Sequence, residues 1–497
     1  MIRFAKQGIF MVIALLTIWM TACQSAAGTQ TATDGSDVTA EAEERLCLNG
    51  DRRYHIVYDK DAASALKDGY TMLFSAFDRT VSLGDDEAIA VGPYEILLGN
   101  TNRPESSALS EGLGQYDYRI AVSGQKVVLT GGSTVALLHA VAHFVRSDVI
   151  EVSEDGLYTV PLTYRYDFEG ADSREDYINN PDLFLCHWVL DFDVPSWMRD
   201  FEEKIAAMQD PDGRMMSTIH RADWIRYPEN SIESVISAIQ MGVDNLEVDI
   251  RLTKDGVPIL FHDTTLERMT DWEEKAGKNG LPTSQSVSDW TYEELKQLRL
   301  RHNADLYRAD GVMTDYIIPT FEEVLIVCNE RTTLRLDKTD AWNWDTDIYP
   351  LVQKTGSWRT IIPNLEFGTE KQLAILKTIR QDSGMTDIPM WFRFSSHTVS
   401  GWVSSAERYQ ELLGYIPVIR IGLDQKDPQA TLASLAANLT AVKDKARIAT
   451  DLFTTAGGSE NIRVWKQLYE GGINWVLVDN GLPFQQYIAD DFEPTPH

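Results

Sequence analysis

Cysteine is scarce: the chain has four in 497 residues, at Cys23, Cys47, Cys186 and Cys328. No two form a CxxC pair or stand at a zinc-binding spacing, which argues against a disulfide-built scaffold and against a structural zinc site. Cys23 apart, three remain, so at most one internal disulfide can form, and the spacing does not choose the pair. Positive charge is short as well, with Lys+Arg 45 against Asp+Glu 75 and a net charge of −30. Nucleic acid and anionic bilayers are bound chiefly through Lys and Arg, so this balance excludes nucleic acid as a partner, and any anionic ligand needs a local positive centre. Beyond the first residues no apolar run approaches the roughly 20 residues needed to cross a bilayer, and no solenoid period appears. What remains is globular: 43% hydrophobic and 24% charged content can bury a large core, and about 100–200 residues per domain implies two or three domains.

At the start, Arg3 and Lys6 precede an apolar run from Gly8 to Trp19, and small residues follow before Cys23. The run is too short for a membrane span and has the layout of a secretory signal. Met20-Thr21-Ala22-Cys23 resembles the lipobox of bacterial lipoproteins, which implies cleavage before Cys23 and lipid modification of that residue. A plain cleaved signal with an incidental cysteine is the alternative. The expectation is a signal peptide over 1–22, a flexible tether over 23–45 too polar to fold, and a lipoprotein, periplasmic or at the cell surface, that meets the membrane through its lipid alone.

Over 46–165 the β-rich runs RYHIVY, YEILLG, YRIAVSG and KVVLTGG alternate with helical stretches, which predicts a small α+β accessory domain. In STVALLHAVAHFV the periodicity puts Val135, Leu138 and Val141 on one face, widened by Leu137, Ala142 and Val145. The domain loosely resembles accessory domains of some secreted glycoside hydrolases and reads as a scaffold or spacer rather than a carbohydrate binder. Residues 166–214, with Pro181, Pro195 and Pro211, form a connector with one helix in SWMRDFEEKIAAMQ. From 215 to the end, strand candidates alternate with helical patterns: MMSTIH, NLEVDI, PILFH, TLRLD, TIIPNLE, MWFRF, PVIRIG, RIATDLF and NWVLVD. Alternation over this length predicts a (β/α)₈ TIM barrel across 215–497. Nine candidates are one too many, and one of MWFRF and PVIRIG is expected to be an edge insertion or no strand at all.

Within that stretch the polar residues gather at strand ends. Asn230 followed by Glu233 has the form of an N-cap and its reciprocal partner, Ile232, Val235, Ile236 and Ile239 share a helical face, and Gly242 ends the helix. His220 therefore ends a strand just before a helix. Glu247 and Asp249 are two apart in LEVDI, so both leave the face opposite Leu246, Val248 and Ile250; since the helix-facing side of a barrel is apolar, the carboxylates point inward. His262 ends the next candidate strand, and Asp337 ends TLRLD, counted as the fourth, with Thr320 and Glu323 capping the helix before it. Three inward carboxylates repel strongly in a low-dielectric site. A divalent cation resolves that repulsion, and all-oxygen ligation by Glu247, Asp249 and Asp337 suits Mg²⁺ or Ca²⁺ better than zinc. Two histidines beside them read as a proton donor and acceptor, the plain alternative being two satisfied core histidines. The phase of Asp337 also turns Arg335 inward, where it competes with a metal for the carboxylates.

His220-Arg221, Pro228-Glu229-Asn230-Ser231, Glu247-Val248-Asp249, Thr253-Lys254-Asp255-Gly256 and His262-Asp263 together resemble the signature of the glycerophosphodiester phosphodiesterase family. This is a TIM-barrel group related to phosphatidylinositol-specific phospholipases C. The likeness runs on through Leu266-Glu267-Arg268-Met269-Thr270, Ile318-Pro319-Thr320-Phe321-Glu322-Glu323-Val324 and Val478-Asp479-Asn480. It implies metal-dependent hydrolysis of a glycerophosphodiester to an alcohol and glycerol 3-phosphate. By that resemblance His220 and His262 are the general acid/base pair, Glu247, Asp249 and Asp337 the metal ligands, and Arg221 and Lys338 the groups that neutralise the phosphoryl oxygens. Two departures stand out: Ala222 replaces the usual Gly, and Asp337 the usual Glu. The loop Asp223-Trp224-Ile225-Arg226-Tyr227 is also bulkier than is common there. Trp342 and Trp344, after the strand that ends in Asp337, either stack on a substrate headgroup or pack a loop. Two other functions fit parts of the pattern. One is a surface lipoprotein that binds a phosphoester without turnover. The other, weaker, is a glycoside hydrolase, which needs two carboxyls about 5–9.5 Å apart around an open sugar site.

Overall fold

The computed structural model describes residues 44–494 except 50–52, 65, 78, 80, 148, 172, 186–193, 304–310, 339–343, 363, 366–389, 393–397, 414–416, 423, 425–426 and 452–460. Residues Glu44–His497 form one compact unit. Cys47 and Cys328 are free thiols, and Cys23 and Cys186 lie outside the described residues.

The first part is built on a six-stranded sheet in the order Ser82–Asp85, His55–Tyr58, Glu95–Leu98, Lys126–Gly131, Tyr118–Ser123, Arg165–Phe168. The first four run parallel and the last two add antiparallel. Alternation along the strands sends Ile56, Ile96, Leu98, Val127 and Leu129 into the larger core and Val57, Leu97 and Val128 into a smaller one. Such two-sided burial suits parallel strands. The edge strand Arg165–Phe168 comes from the stretch read as connector, because its Tyr166 and Phe168 stack on Tyr118 of the neighbouring strand. In the helix Thr134–Arg146, capped by Ser133, the buried face is Ala136, Leu137, Ala140, Val141 and Phe144. The predicted face is rotated from this one, since close approach to the sheet favours the small Ala136 and Ala140 while Val135 and Leu138 sit at the flank.

From Met216 on, the strands form a parallel ring. The first barrel strand, Met216–Ile219, pairs with the second, Asn245–Leu252, and with the eighth, Trp475–Val478. The second pairs with the third, Thr333–Asp337. Ile361–Ile362 pairs with the third strand and Asn364–Leu365 with the fifth, Met390–Phe392, so this interrupted fourth strand closes the ring. Pro417–Ile421 and Arg447–Asp451 complete it as sixth and seventh. Two expectations change here. MWFRF and PVIRIG are both barrel strands, and the surplus candidate is PILFH: Pro258–Leu260 folds back antiparallel on the end of the second strand. Asp337 therefore ends the third barrel strand, not the fourth. The turn at Gly256, with φ 78°, makes the reversal possible, and a three-residue run read from sequence does not reveal its direction.

SWMRDFEEKIAAMQ is two helices, Ser196–Arg199 and Phe201–Gln209, broken where Asp200 caps the second. The second lies under the barrel: Phe201, Ile205, Ala207 and Met208 pack on the inward Met216, Ile362, Val418, Ala449 and Trp475. Arg447 ties this floor together by donating to the carbonyls of Ala207, Asp210, Arg214 and Asn474. Lys204 is fully buried on the same helix, its Nζ donating to the Arg331 carbonyl at 2.6 Å. Burial pushes its ammonium down to about 8, with Asp244 opposing and Arg214 adding to the shift. An unfolded lysine titrates near about 10.4, so between these values the unfolded chain binds more protons and stability rises with pH, by at most about 1.4 kcal/mol per unit. Urea denaturation of the parent and of Lys204→Met from pH 7 to 10 should show the parent gaining on the variant across that window. A constant separation would mean that the amine titrates normally.

Candidate active site

The second strand carries the acidic pair as the alternation predicts: Leu246, Val248 and Ile250 join the core under the helices, and Glu247 and Asp249 take the other face. Asp337 sits beside Asp249 in the parallel register. One oxygen from each of Glu247, Asp249 and Asp337 lies within 4.8 Å of the others. Burial and the neighbouring charge of Asp249 raise the Glu247 carboxyl above its ordinary value, with His220 and Arg335 opposing. Asp337 is lowered: burial works against its charge, but the backbone N–H and ammonium of Lys338 outweigh it. Asp249 Oδ1 is buried with no hydrogen-bond partner among the described residues. A buried carboxylate oxygen left so costs a few kcal/mol, and an oxygen-seeking cation is the partner that fits. The three carboxylates are thus a sound donor set for Mg²⁺ or Ca²⁺.

Asn230 does not cap the following helix. Ser231 does, accepting from Ser234 N–H at 3.0 Å, while Asn230, at φ 57°, turns its amide to the second strand. Its Nδ2 donates to Asp249 Oδ2 at 2.9 Å and its Oδ1 accepts the Asp249 N–H at 3.1 Å. Asn visits the left-handed region more readily than other side-chain-bearing residues, so one residue supplies both the turn and the anchor. The helix Ile232–Gln240 buries Ile232, Val235, Ile236 and Ile239, and Thr320 with Glu323 forms a full capping box on Phe321–Cys328, both as the sequence predicts.

Both histidines stand at this rim with Nδ1 on a carboxylate. His220 Nδ1 donates to Asp479 Oδ1 at 2.8 Å; burial works against its protonated form, but Asp479 and Glu247 outweigh it and its pKa is raised. His262 Nδ1 donates to Asp263 Oδ1 at 2.7 Å, and Arg251 fixes its carbonyl at 2.7 Å. Arg268 clamps Asp263 at 2.6 and 3.0 Å. Against burial, His262 and Arg268 hold the Asp263 carboxyl well below the usual carboxylate range. A carboxylate on Nδ1 leaves proton exchange to Nε2, the arrangement expected of an imidazole acid or base.

The other expected residues are placed unevenly. Arg221 is buried with Nη1 on Glu229 at 3.0 Å and Nε 3.7 Å from Asp249, and its backbone N–H donates to Glu247 at 3.0 Å. Lys338, at the rim, pairs with Asp337 at 3.1 Å. Trp342 lies outside the described residues, as does the side chain of Trp344. Arg335 turns inward as its phase demands, 3.9 Å from Glu247 and 3.7 Å from Asp451, and Asp451 also takes Arg420. Sequence reasoning gave no role to Asp479, Asp263, Glu229 or Arg268, and to Asn230 only that of a helix cap. The signals were there in part: Asp263 adjoins His262, and ring closure must bring the last strand's Asp479 beside the first. Arg221 and Ala222 are both left-handed, at φ 52° and 60°, a strain of roughly 1 kcal/mol or more each. At Ala222 the methyl is in the core and offsets most of that, at about 0.8 kcal/mol.

These residues coincide with a sequence relationship. Residues 220–346 match the Glycerophosphoryl diester phosphodiesterase family. The matched stretch holds both histidines and all three carboxylates, and the fourth to eighth barrel strands lie beyond it. The glycerophosphodiester phosphodiesterase of Bacillus altitudinis is 36% identical over 118 residues, 24% of this chain and 42% of that protein. Glycerophosphodiester phosphodiesterase 1 of Mus musculus is 31% identical over 118 residues, 24% and 31% of the two chains. The chain thus spans less than half the length of these curated relatives. Among solved structures, a glycerophosphoryl diester phosphodiesterase from Parabacteroides distasonis aligns at 20% identity over 60% of this chain and 94% of that one, with a TM-score of 0.43.

Proposed function

We propose that the protein is a phosphoric diester hydrolase that cleaves a glycerophosphodiester to an alcohol and glycerol 3-phosphate. The observation that carries this reading is the joint placement of two carboxylate-held imidazoles and a three-carboxylate cluster at one rim of a parallel barrel, within the stretch that matches the family. A phosphodiester anion resists nucleophiles, so charge must be drawn from its non-bridging oxygens. A divalent cation held by Glu247, Asp249 and Asp337 supplies that effect when bound. Of the chain's own residues, one of His220 and His262 takes the proton of the attacking hydroxyl and the other delivers one to the leaving oxygen. Where that hydroxyl is water the monoester forms directly; where it is the substrate's own glycerol, water must then open the cyclic phosphate with the two histidines exchanging roles. Lys338 stands at the mouth to meet the phosphate. Arg221 is shared with Glu229 and Arg335 with Asp451, so each offsets the charge of the acidic cluster only in part.

The test is a turnover screen across glycerophosphodiesters, with Mg²⁺ and Ca²⁺ added back after chelation. Release of alcohol and glycerol 3-phosphate that chelator abolishes and metal restores is the expected result. Binding of phosphodiester with no product under any metal would favour the non-catalytic reading, for which the nearness of Arg221 and Arg335 to the carboxylates is the one favourable observation. Cys23 is proposed as the lipid anchor of a surface or periplasmic lipoprotein. Mass spectrometry of the mature N-terminus should find an acylated Cys23, and Cys23→Ala should move the protein out of the membrane fraction.

A further inference from the structure

The loop that leaves His220 carries a tryptophan turned inward. Trp224 is 5% exposed, and its indole N–H donates to Asp479 Oδ1 at 3.2 Å, the oxygen that also takes His220 Nδ1 at 2.8 Å. The loop is pinned around it. Asp223 accepts from Ser237 Oγ at 2.6 Å and from Arg226 at 2.8 Å, and its N–H reaches the Ser234 carbonyl at 3.2 Å. On the far side, the carbonyls of Trp224 and Ile225 each lie 3.2 Å from His302 Nε2. Carbonyls only accept, so His302 donates from that nitrogen. His302 belongs to the small ribbon Arg301–His302 with Val312–Met313, inserted between the second and third barrel strands. The insertion is therefore coupled through one loop to the partner of a rim histidine.

We propose that Trp224 is a positioning residue for His220, acting through Asp479; this rests on His220 as a proton-transfer group. The terminal torsion of an aspartate is broad and two-fold, so each added donor narrows the range through which the carboxylate can rotate. A second donor from a packed, immobile ring fixes the carboxylate plane. The fixed carboxylate in turn fixes the imidazole's tilt and keeps its proton on Nδ1. The bulk of this loop, unusual at the sequence level, then has a use: the long, flat indole carries its ring N–H from the loop to the end of the eighth strand.

Two replacements isolate the N–H. Trp224→Phe removes it with part of the ring, and 3-benzothienylalanine at position 224 removes it while keeping the indole's shape, so a folding defect in the first does not end the test. With either, kcat on the best glycerophosphodiester should fall about 10-fold, the scale typical of such supporting contacts, while KM stays within about twofold. The ¹⁵N spectrum of the His220 imidazole should change from one dominated by the Nδ1–H tautomer to a mixture. Wild-type kcat and an unchanged imidazole spectrum in the benzothienyl variant would overturn the proposal, as would a loss confined to KM. A parent protein that hydrolyses no glycerophosphodiester defeats the proposed function instead, and the imidazole spectrum still decides the part of Trp224.

Discussion

Alanine at His220 or at His262 is expected to lower turnover at least 10²-fold while the fold is retained. General acid–base assistance is typically worth 10²–10⁴-fold, and each imidazole has its Nδ1 on a carboxylate, which leaves Nε2 as the nitrogen that exchanges the proton. The two variants differ in stability. His262→Ala leaves Asp263 with Arg268, a partner of opposite charge, so its cost is small. His220→Ala leaves Asp479, 2% exposed, with the Trp224 N–H and without the donor that best matched its charge, a loss of about 1–3 kcal/mol. That loss depends on pH with a definite sign. The folded pKa of His220 is raised, so its protonated form stabilises the fold fully below the unfolded value of about 6.5 and progressively less as pH rises through the folded pKa. The stability gap between parent and His220→Ala is therefore widest in acid. Steady-state kinetics with denaturation at pH 5.5 and 8 checks both halves. Near-normal turnover in both variants removes the histidines from the chemistry.

What sequence could and could not reveal about this site follows from the range of the interactions. Glu247 and Asp249 were legible because a strand's period of two, set against an apolar helix-facing side, leaves one direction for charge. His220 and His262 were legible as strand ends beside them. The fold-back of Pro258–Leu260 was not, because three apolar residues look alike in a barrel strand and in a hairpin, and that miscount placed Asp337 one strand too late. Asn230 was misread for a related reason: with Ser231 next to it, two residues in a row have cap chemistry, and only the spatial nearness of Asp249 shows which one is engaged elsewhere. Asp479 and Arg268 act across 259 and 39 residues of chain respectively, and no local pattern encodes such partners. Ring closure does predict the first of them, since it sets the eighth strand beside the first.

Glu247→Gln is the variant whose effects should reverse with conditions. Glu247 is buried beside Asp249, and both influences raise its pKa, so without a bound cation its charge opposes folding. The sign follows: parent stability falls as pH climbs from the unfolded carboxyl value near 4.5 through the raised folded one, a slope that glutamine cannot have. Gln retains a carbonyl oxygen to accept the Arg221 N–H that Glu247 accepts at 3.0 Å, so the shape and the hydrogen bond survive. In chelator at neutral pH the variant should therefore melt above the parent. A cation that binds only the folded state adds RT ln(1 + [M]/Kd), about 2.7 kcal/mol at a hundredfold excess over Kd, and the parent, with its full set of carboxylates, gains more of it. In Mg²⁺ or Ca²⁺ the order should invert, with the parent melting above Glu247→Gln and turnover in the variant down at least about 10²-fold, since transition-state charge stabilisation is worth several kcal/mol. Thermal melts of both proteins in chelator and in each metal measure the crossing. The same order under all conditions would mean that the three carboxylates hold no ion, and that Arg335 and Arg221 alone make their proximity tolerable.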